Sequence, residues 1–120
     1  MIKLTKQLAQ NIVDKMMGVV PYNINIMDEK GTIIGSGDRS RIGHLHHGAV
    51  AAIKEERLII IHKSQGGAKP GVNIPIYFTD NVIGVIGISG RPEEVQAFAD
   101  IVKVTAQLLV KQNCKNLILL

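Results

Sequence analysis

The chemistry-bearing residues of this chain gather in one short stretch, Arg39-Ser40-Arg41-Ile42-Gly43-His44-Leu45-His46-His47-Gly48-Ala49, which holds three of its four histidines. A metal site is the first possibility. Two histidines four apart on a helix converge on an ion, but His44, His46 and His47 are spaced two and one apart and cannot all converge from one helix. No metal is expected. An anion pocket suits the residue types better. Arg41 carries a planar fork that grips a carboxylate through two parallel hydrogen bonds, and the backbone N–H groups of a glycine-rich helix start point at the same charge. With His46 as a further donor, the segment fits a small acidic ligand.

Two other stretches carry polar or glycine signals inside apolar runs. In Lys69-Pro70-Gly71-Val72-Asn73-Ile74-Pro75-Ile76, Asn73 sits among apolar neighbours at a strand start. A buried carboxamide must find partners or be costly, so Asn73 either ties down the preceding glycine loop or faces a ligand. Gly71 allows close backbone approach, and Pro75 lacks a ladder donor, which suits an edge or a bulge. In Gly84-Val85-Ile86-Gly87-Ile88-Ser89-Gly90 the glycines mark close approach of helices or of a ligand; the run lacks the Lys-Ser/Thr of a phosphate loop, which argues against a nucleotide site. There is no nucleophile elbow, no pair of carboxylates bracketed by apolar residues, and no sign of activation at Cys114, so no enzyme is indicated. Two alternatives stay open: a heme or other cofactor held by His44, His46 or His62, and a small hydrolase or lyase with His46 as general base.

The elements that must position these residues follow from periodicity. Leu4, Leu8, Ile12 and Met16 recur every four positions and predict a helix over 3–17, with Gly18 as its stop. Short β-type runs at 22–27 and 32–36 flank Asp28-Glu29-Lys30-Gly31, a hairpin turn with Gly31 at positive φ. A helical turn and a short helix near 47–54 follow, then a compact strand at 58–62 and a glycine-rich loop over 63–71. A second hairpin, 72–78 and 82–89, closes around Asp80-Asn81, and its last strand is apolar on both faces and belongs at the centre of the sheet. Pro92, Glu93 and Glu94 start a long helix that nothing stops before about Gln112, with Ala97, Ile101, Val104 and Leu108 as its main apolar face.

This order predicts an α+β domain: a five-stranded antiparallel sheet flanked by N- and C-terminal helices, with PAS/Cache-like sensor architecture. The terminal helices should cover one face of the sheet and the 36–56 segment the other, with a ligand between that segment and the strands. At 120 residues, 46% hydrophobic and 20% charged, the chain is expected to be a single domain rather than disordered, collagenous or disulfide-built. Apolar runs such as Leu58-Ile59-Ile60-Ile61 fall far short of the roughly 20 residues that span a bilayer, and the lone Cys114 fits a reducing cytoplasm. A net charge of +4 raises the question of nucleic acid, yet the basic residues are scattered and only two Tyr and two Phe are present to stack on bases.

Taken together, Ser40-Arg41-Ile42-Gly43 with His46-x-Gly48-Ala49, Gly71-Val72-Asn73-Ile74-Pro75-Ile76 and Gly84-Val85-Ile86-Gly87-Ile88-Ser89-Gly90 resemble the sugar-diacid recognition domain, the N-terminal sensory domain of carbohydrate diacid regulators, which are bacterial transcription factors. The resemblance spans nearly the whole chain. It implies a cytoplasmic sensor for acids such as glucarate, galactarate or glycerate, with DNA bound through a separate C-terminal helix-turn-helix domain, so that the chain is expected to be a fragment continuing past Leu120. It further implies Arg41, His46 and Asn73 as ligand contacts, with Ser40, Ile42, Gly43, Gly71 and Ile74 lining or shaping the site through their backbone. No cofactor is implied, and the terminal helices are expected to pair two copies as a homodimer.

Overall fold

The computed structural model describes the backbone of residues 3–63 and 69–119 and the side chains of 3–63 and 69–114. The chain runs α1 (Lys6–Met16), β1 (Ile24–Met27), β2 (Ile33–Ser36), a 3-10 turn (Arg39–Arg41), α2 (His47–Glu55), β3 (Ile59–Ile61), β4 (Gly71–Phe78), β5 (Asn81–Ser89) and α3 (Pro92–Leu119). The five strands form one antiparallel sheet in the order β2-β1-β5-β4-β3. This is the expected α+β architecture, with β5 at its centre.

Local chemistry accounts for the ends of the elements. The Thr5 hydroxyl accepts from the Leu8 N–H at 3.1 Å and caps α1. In the β1–β2 turn Gly31 takes φ 89°, and the Asp28 carboxylate accepts from the N–H groups of Lys30 and Thr32. The second hairpin differs from expectation by one residue. A bulge opposite Ile76 and Tyr77 places Ile83 as an extra residue on β5, so Phe78 pairs with Asn81 and the two-residue loop is Thr79-Asp80, with Thr79 at φ 56°. No glycine or proline follows Pro92 in α3, and the helix runs past Gln112 to Leu119.

Alternation along the strands divides the interior into two layers. Ile24, Ile26, Val72, Ile74, Ile76, Ile86 and Ile88 pack on one face against α1 and α3, while Met27, Ile33, Ile59, Ile61 and Val85 pack on the other against Ala49 and Ala52 of α2. The α3 face that does the packing is not the expected one. Val95, Ala99, Val102, Ala106 and Val110 are buried, whereas Ile101, Val104 and Leu108 are 61%, 54% and 62% exposed. Both stripes have helical spacing, and the one with the smaller side chains lies inward because it lets the helix axis approach the sheet closely.

Candidate functional site

The site lies on the α2 face of the sheet, where the strand pattern turns polar. Ser36 pairs with Asn25, Asn25 with Gly87, and Gly87 with Asn73, so four residues on four adjacent strands form one cross-strand row. Directly paired residues share a face, and here that row replaces the apolar layer with two carboxamides, a hydroxyl and a gap. Asn25, Ser36 and Asn73 are only 1%, 0% and 2% exposed.

The row is braced from the α1 side. Gln10 spans the Ser36 peptide: its Oε1 accepts from the Ser36 N–H and its Nε2 donates to the Ser36 carbonyl, both at 3.0 Å. The Ser36 hydroxyl donates to Asn25 Oδ1 at 2.5 Å, and Asn23 Nδ2 donates to the same oxygen at 3.2 Å. Asn73, by contrast, is unbraced: its Oδ1 is buried without a hydrogen-bond partner. A buried acceptor left unpaired costs about 1–3 kcal/mol, so a core asparagine in this state marks a place where the fold yields stability for something else.

The N-terminus of α2 stands over this row. His46 is its cap: Nδ1 accepts from the Ala49 N–H at 3.2 Å. An Nδ1 that accepts is unprotonated, so the neutral ring carries its hydrogen on Nε2 and offers a donor. Burial lowers the pKa of His46 from 6.5 to about 4, with the positive charges of Arg41 and His47 adding to the effect. This arrangement leaves His46 no lone pair for a general base, and coordination to a heme iron through Nε2 would require the other tautomer and loss of the cap. Gly48 lets α2 sit down on β4, since a Cβ there would collide with Asn73 Nδ2. Gly71 plays the same part at the start of β4, where a Cβ would collide with the Ile88 carbonyl oxygen.

His46, Gly71 and Asn73 thus meet at one tight recess, which Asn25, Lys69, Gly87 and Ser89 also line. Its walls stand too close to admit even a water molecule. Larger hollows of about 370 and 420 Å³ lie at the far end of the β4–β5 hairpin, around Val82 and around Tyr77, and are mostly apolar. Arg41 does not line the recess; it is half-buried with its Nη1 shielded from solvent, and its charge acts on both His46 and Asp38. Asp38 is held below the usual carboxylate range first by hydrogen bonds from Ser40, with Lys69 and Arg41 assisting.

The remaining expected residues are placed less directly. Ser40 is exposed and its hydroxyl donates to Asp38 Oδ1 at 2.7 Å. Ile42 packs against the α2-side core, and Gly43 turns the chain at φ 96° and donates its N–H to Ile33. Ile74 turns its side chain to the opposite face, against the α1–α3 core, and does not line the recess. His44, His47 and His62 are exposed and do not join His46. Among the described residues no group of three or more His, Cys, Asp or Glu is placed to hold a metal, and no helix is long and apolar enough to cross a membrane. Asn25 and Ser36 escaped the sequence reading, although Ile24-Asn25-Ile26 has the same signature, a carboxamide between β-branched residues, as Val72-Asn73-Ile74.

A five-stranded antiparallel sheet with β5 at its centre, the terminal helices on one face and a polar recess under a short helix on the other define a PAS-like fold. The GAF domain of an Acinetobacter phosphoenolpyruvate-protein phosphotransferase superposes with a TM-score of 0.64 over 92% of this chain and 84% of that one, at 11% identity. Residues 4–117 match the family described as "Putative sugar diacid recognition", and the chain belongs to that family. It is 40% identical over 116 residues to an uncharacterized protein of Haemophilus influenzae and 38% identical over 114 residues to the carbohydrate diacid regulator of Escherichia coli. Each alignment covers 92% of this chain, which spans 32% and 30% of the respective relatives' length.

Proposed function

We propose that this chain is the effector-recognition domain of a bacterial transcriptional regulator in the cytoplasm, and that it binds small polyhydroxylated acids such as glucarate, galactarate or glycerate without turning them over. The observation that carries the reading is Asn73: a fully buried carboxamide with an unpartnered oxygen, beneath a helix start whose capping histidine offers an N–H. In this reading the ligand bridges the Ser40–Ala49 segment and the Gly71–Ile76 strand. Arg41 and Lys69 meet a carboxylate at the rim, and His46 Nε2 and Asn73 meet polar groups inside. Because the walls of the recess stand close together, occupation must displace α2 relative to the sheet, the kind of change that a sensor passes on.

DNA binding belongs in this proposal to a separate helix-turn-helix domain of the full regulator. Two copies pair through the terminal helices, for which the exposed Ile101, Val104 and Leu108 of α3 supply an apolar stripe. Isothermal titration calorimetry of the folded chain with the three acids tests the reading. Saturable heat with at least one of them is expected, and absence of heat with all three refutes it.

A further inference from the structure

The edge strand β2 is held from outside by two parts of the chain at once. At one end, main-chain bonds tie it to the segment that leads into α2. Ile33 donates to the His44 carbonyl at 2.9 Å and accepts from the Gly43 N–H at 2.8 Å, and His46, the α2 cap, donates its backbone N–H to the Gly31 carbonyl at 2.9 Å. At the other end β2 is tied to α1. Gln10 spans the Ser36 peptide through its two bonds of 3.0 Å, and at Gly35 the backbones touch, since a Cβ there would stand 2.9 Å from the Ala9 carbonyl carbon and 3.0 Å from its oxygen. In a regular strand alternate residues turn their N–H and C=O to the same edge, so Ile33 and Ser36, three apart, could not both face outward. A bulge at Ile34, left unopposed where Met27 pairs with Ile33 and Ile26 with Gly35, makes this possible. It gives β2 a separate attachment for each helix.

We infer that β2 is the lever through which occupation of the recess reaches α1, with Gln10 as the positioning residue that couples the helix to the strand. His46 lines the recess, and a shift of the α2 start either carries β2 with it or leaves the main-chain groups of Gly31 and Ile33 unpaired. The Ser36 hydroxyl adds a second route: it donates to Asn25 Oδ1 at 2.5 Å, and Asn25 lines the recess from β1. Both routes end at the residue whose peptide Gln10 holds. On α3 the corresponding tie, Gln107 Oε1 accepting from the Tyr77 N–H at 3.0 Å, lies at the far end of β4, about 20 Å from Gly71. Because α1 and α3 share one apolar layer, a displaced α1 alters the surface that the two helices present together. The lever rests on the recess being the ligand site and adds to it the path by which occupation is passed on.

Amide shifts of the isotopically labelled chain at saturating glucarate test the lever. In the wild-type chain the amides of Ala49 and Gly87 at the recess are expected to move, those of Ile33, Ser36, Ala9 and Ile12 to move with them, and that of Ala106 on α3 to stay. Gln10→Met keeps the length of the side chain but loses both bonds to Ser36. Its displacements at Ala49 and Gly87 should match the wild type while those at Ala9 and Ile12 fall at least ~3-fold. A merely structural brace would not separate the two responses. Gln10→Glu keeps an acceptor for the Ser36 N–H but sets an oxygen against the Ser36 carbonyl, and should give an intermediate loss; it carries the test if Gln10→Met does not fold. Displacements on α1 that are absent in the wild type, undiminished in the folded variant, or exceeded by displacements along α3 overturn the lever and leave the recess standing. Failure of glucarate, galactarate and glycerate alike to move Ala49 or Gly87 removes the recess as ligand site, and the lever with it.

Discussion

Replacing His46 by asparagine should flatten the acid side of the stability profile, and the size of the change follows from the environment of the ring. His46 is 4% exposed and capped onto Ala49, and its pKa is lowered to about 4 from 6.5. The folded ring therefore stays neutral where the unfolded ring gains a proton. Between pH 6.5 and about 4 the unfolded chain binds more protons, so stability falls as pH falls through this window, and the contribution is complete above it. At about 1.4 kcal/mol per pKa unit the loss attributable to His46 is about 3 kcal/mol. With a urea slope of ~1–3 kcal/mol/M for a domain of this size, the midpoint should fall by roughly 1–3 M between pH 7 and pH 4. Asparagine caps helices well and does not titrate, so His46→Asn keeps the cap and should lack this component. Asp38 and Glu93, both held low by hydrogen bonds and neighbouring cations, lose their contributions at still lower pH and are common to both proteins, so they cancel in the difference. Urea titrations at half-unit pH steps read the effect. Parallel profiles for the two proteins would refute the assignment of a buried, neutral, Nδ1-accepting histidine.

Three further outcomes are expected. Gly71→Ala drives a Cβ into the Ile88 carbonyl oxygen on the paired strand, where only backbone movement relieves it, and should cost at least ~3 kcal/mol by chemical denaturation. Arg41→Ala should leave the circular dichroism spectrum unchanged and weaken glucarate binding by ~10–100-fold, the worth of a charge-assisted hydrogen bond of about 1.5–3 kcal/mol; unchanged affinity in calorimetry would remove Arg41 from the site. Val104→Asp, on the exposed stripe of α3, should shift sedimentation toward monomer while the thermal midpoint of the monomeric domain changes little, whereas Val102→Asp, on the buried stripe, should abolish folding.

The legible parts of the sequence were those where local pattern and burial agree. The alternation of β5, apolar on both sides, placed it centrally, and Asp28 with Gly31 located the first turn. Where two local patterns competed, packing decided. On α3 the larger residues Ile101, Val104 and Leu108 read as the core face, but the alanines Ala99 and Ala106 permit closer approach to the sheet and took that position. The second turn moved because a bulge, which pairing alone reveals, absorbed Ile83. At the site, Arg41, His46 and Asn73 stood out as polar residues in unexpected company. Asn25 carried the same signal as Asn73 but no glycine or proline beside it, and its importance follows only from its register with Gly87 and Asn73, which is a property of the assembled sheet.

The central claim is that a polyhydroxylated acid enters the recess between the start of α2 and the β1-β5-β4 row. An amide-detected NMR titration of the isotopically labelled chain with glucarate tests it most directly. The account predicts that the largest shifts fall on the side-chain NH2 groups of Asn25 and Asn73, the backbone N–H of Ala49 and the His46 ring. Shifts confined to the apolar hollow around Val82, or none at saturating concentration, would contradict it.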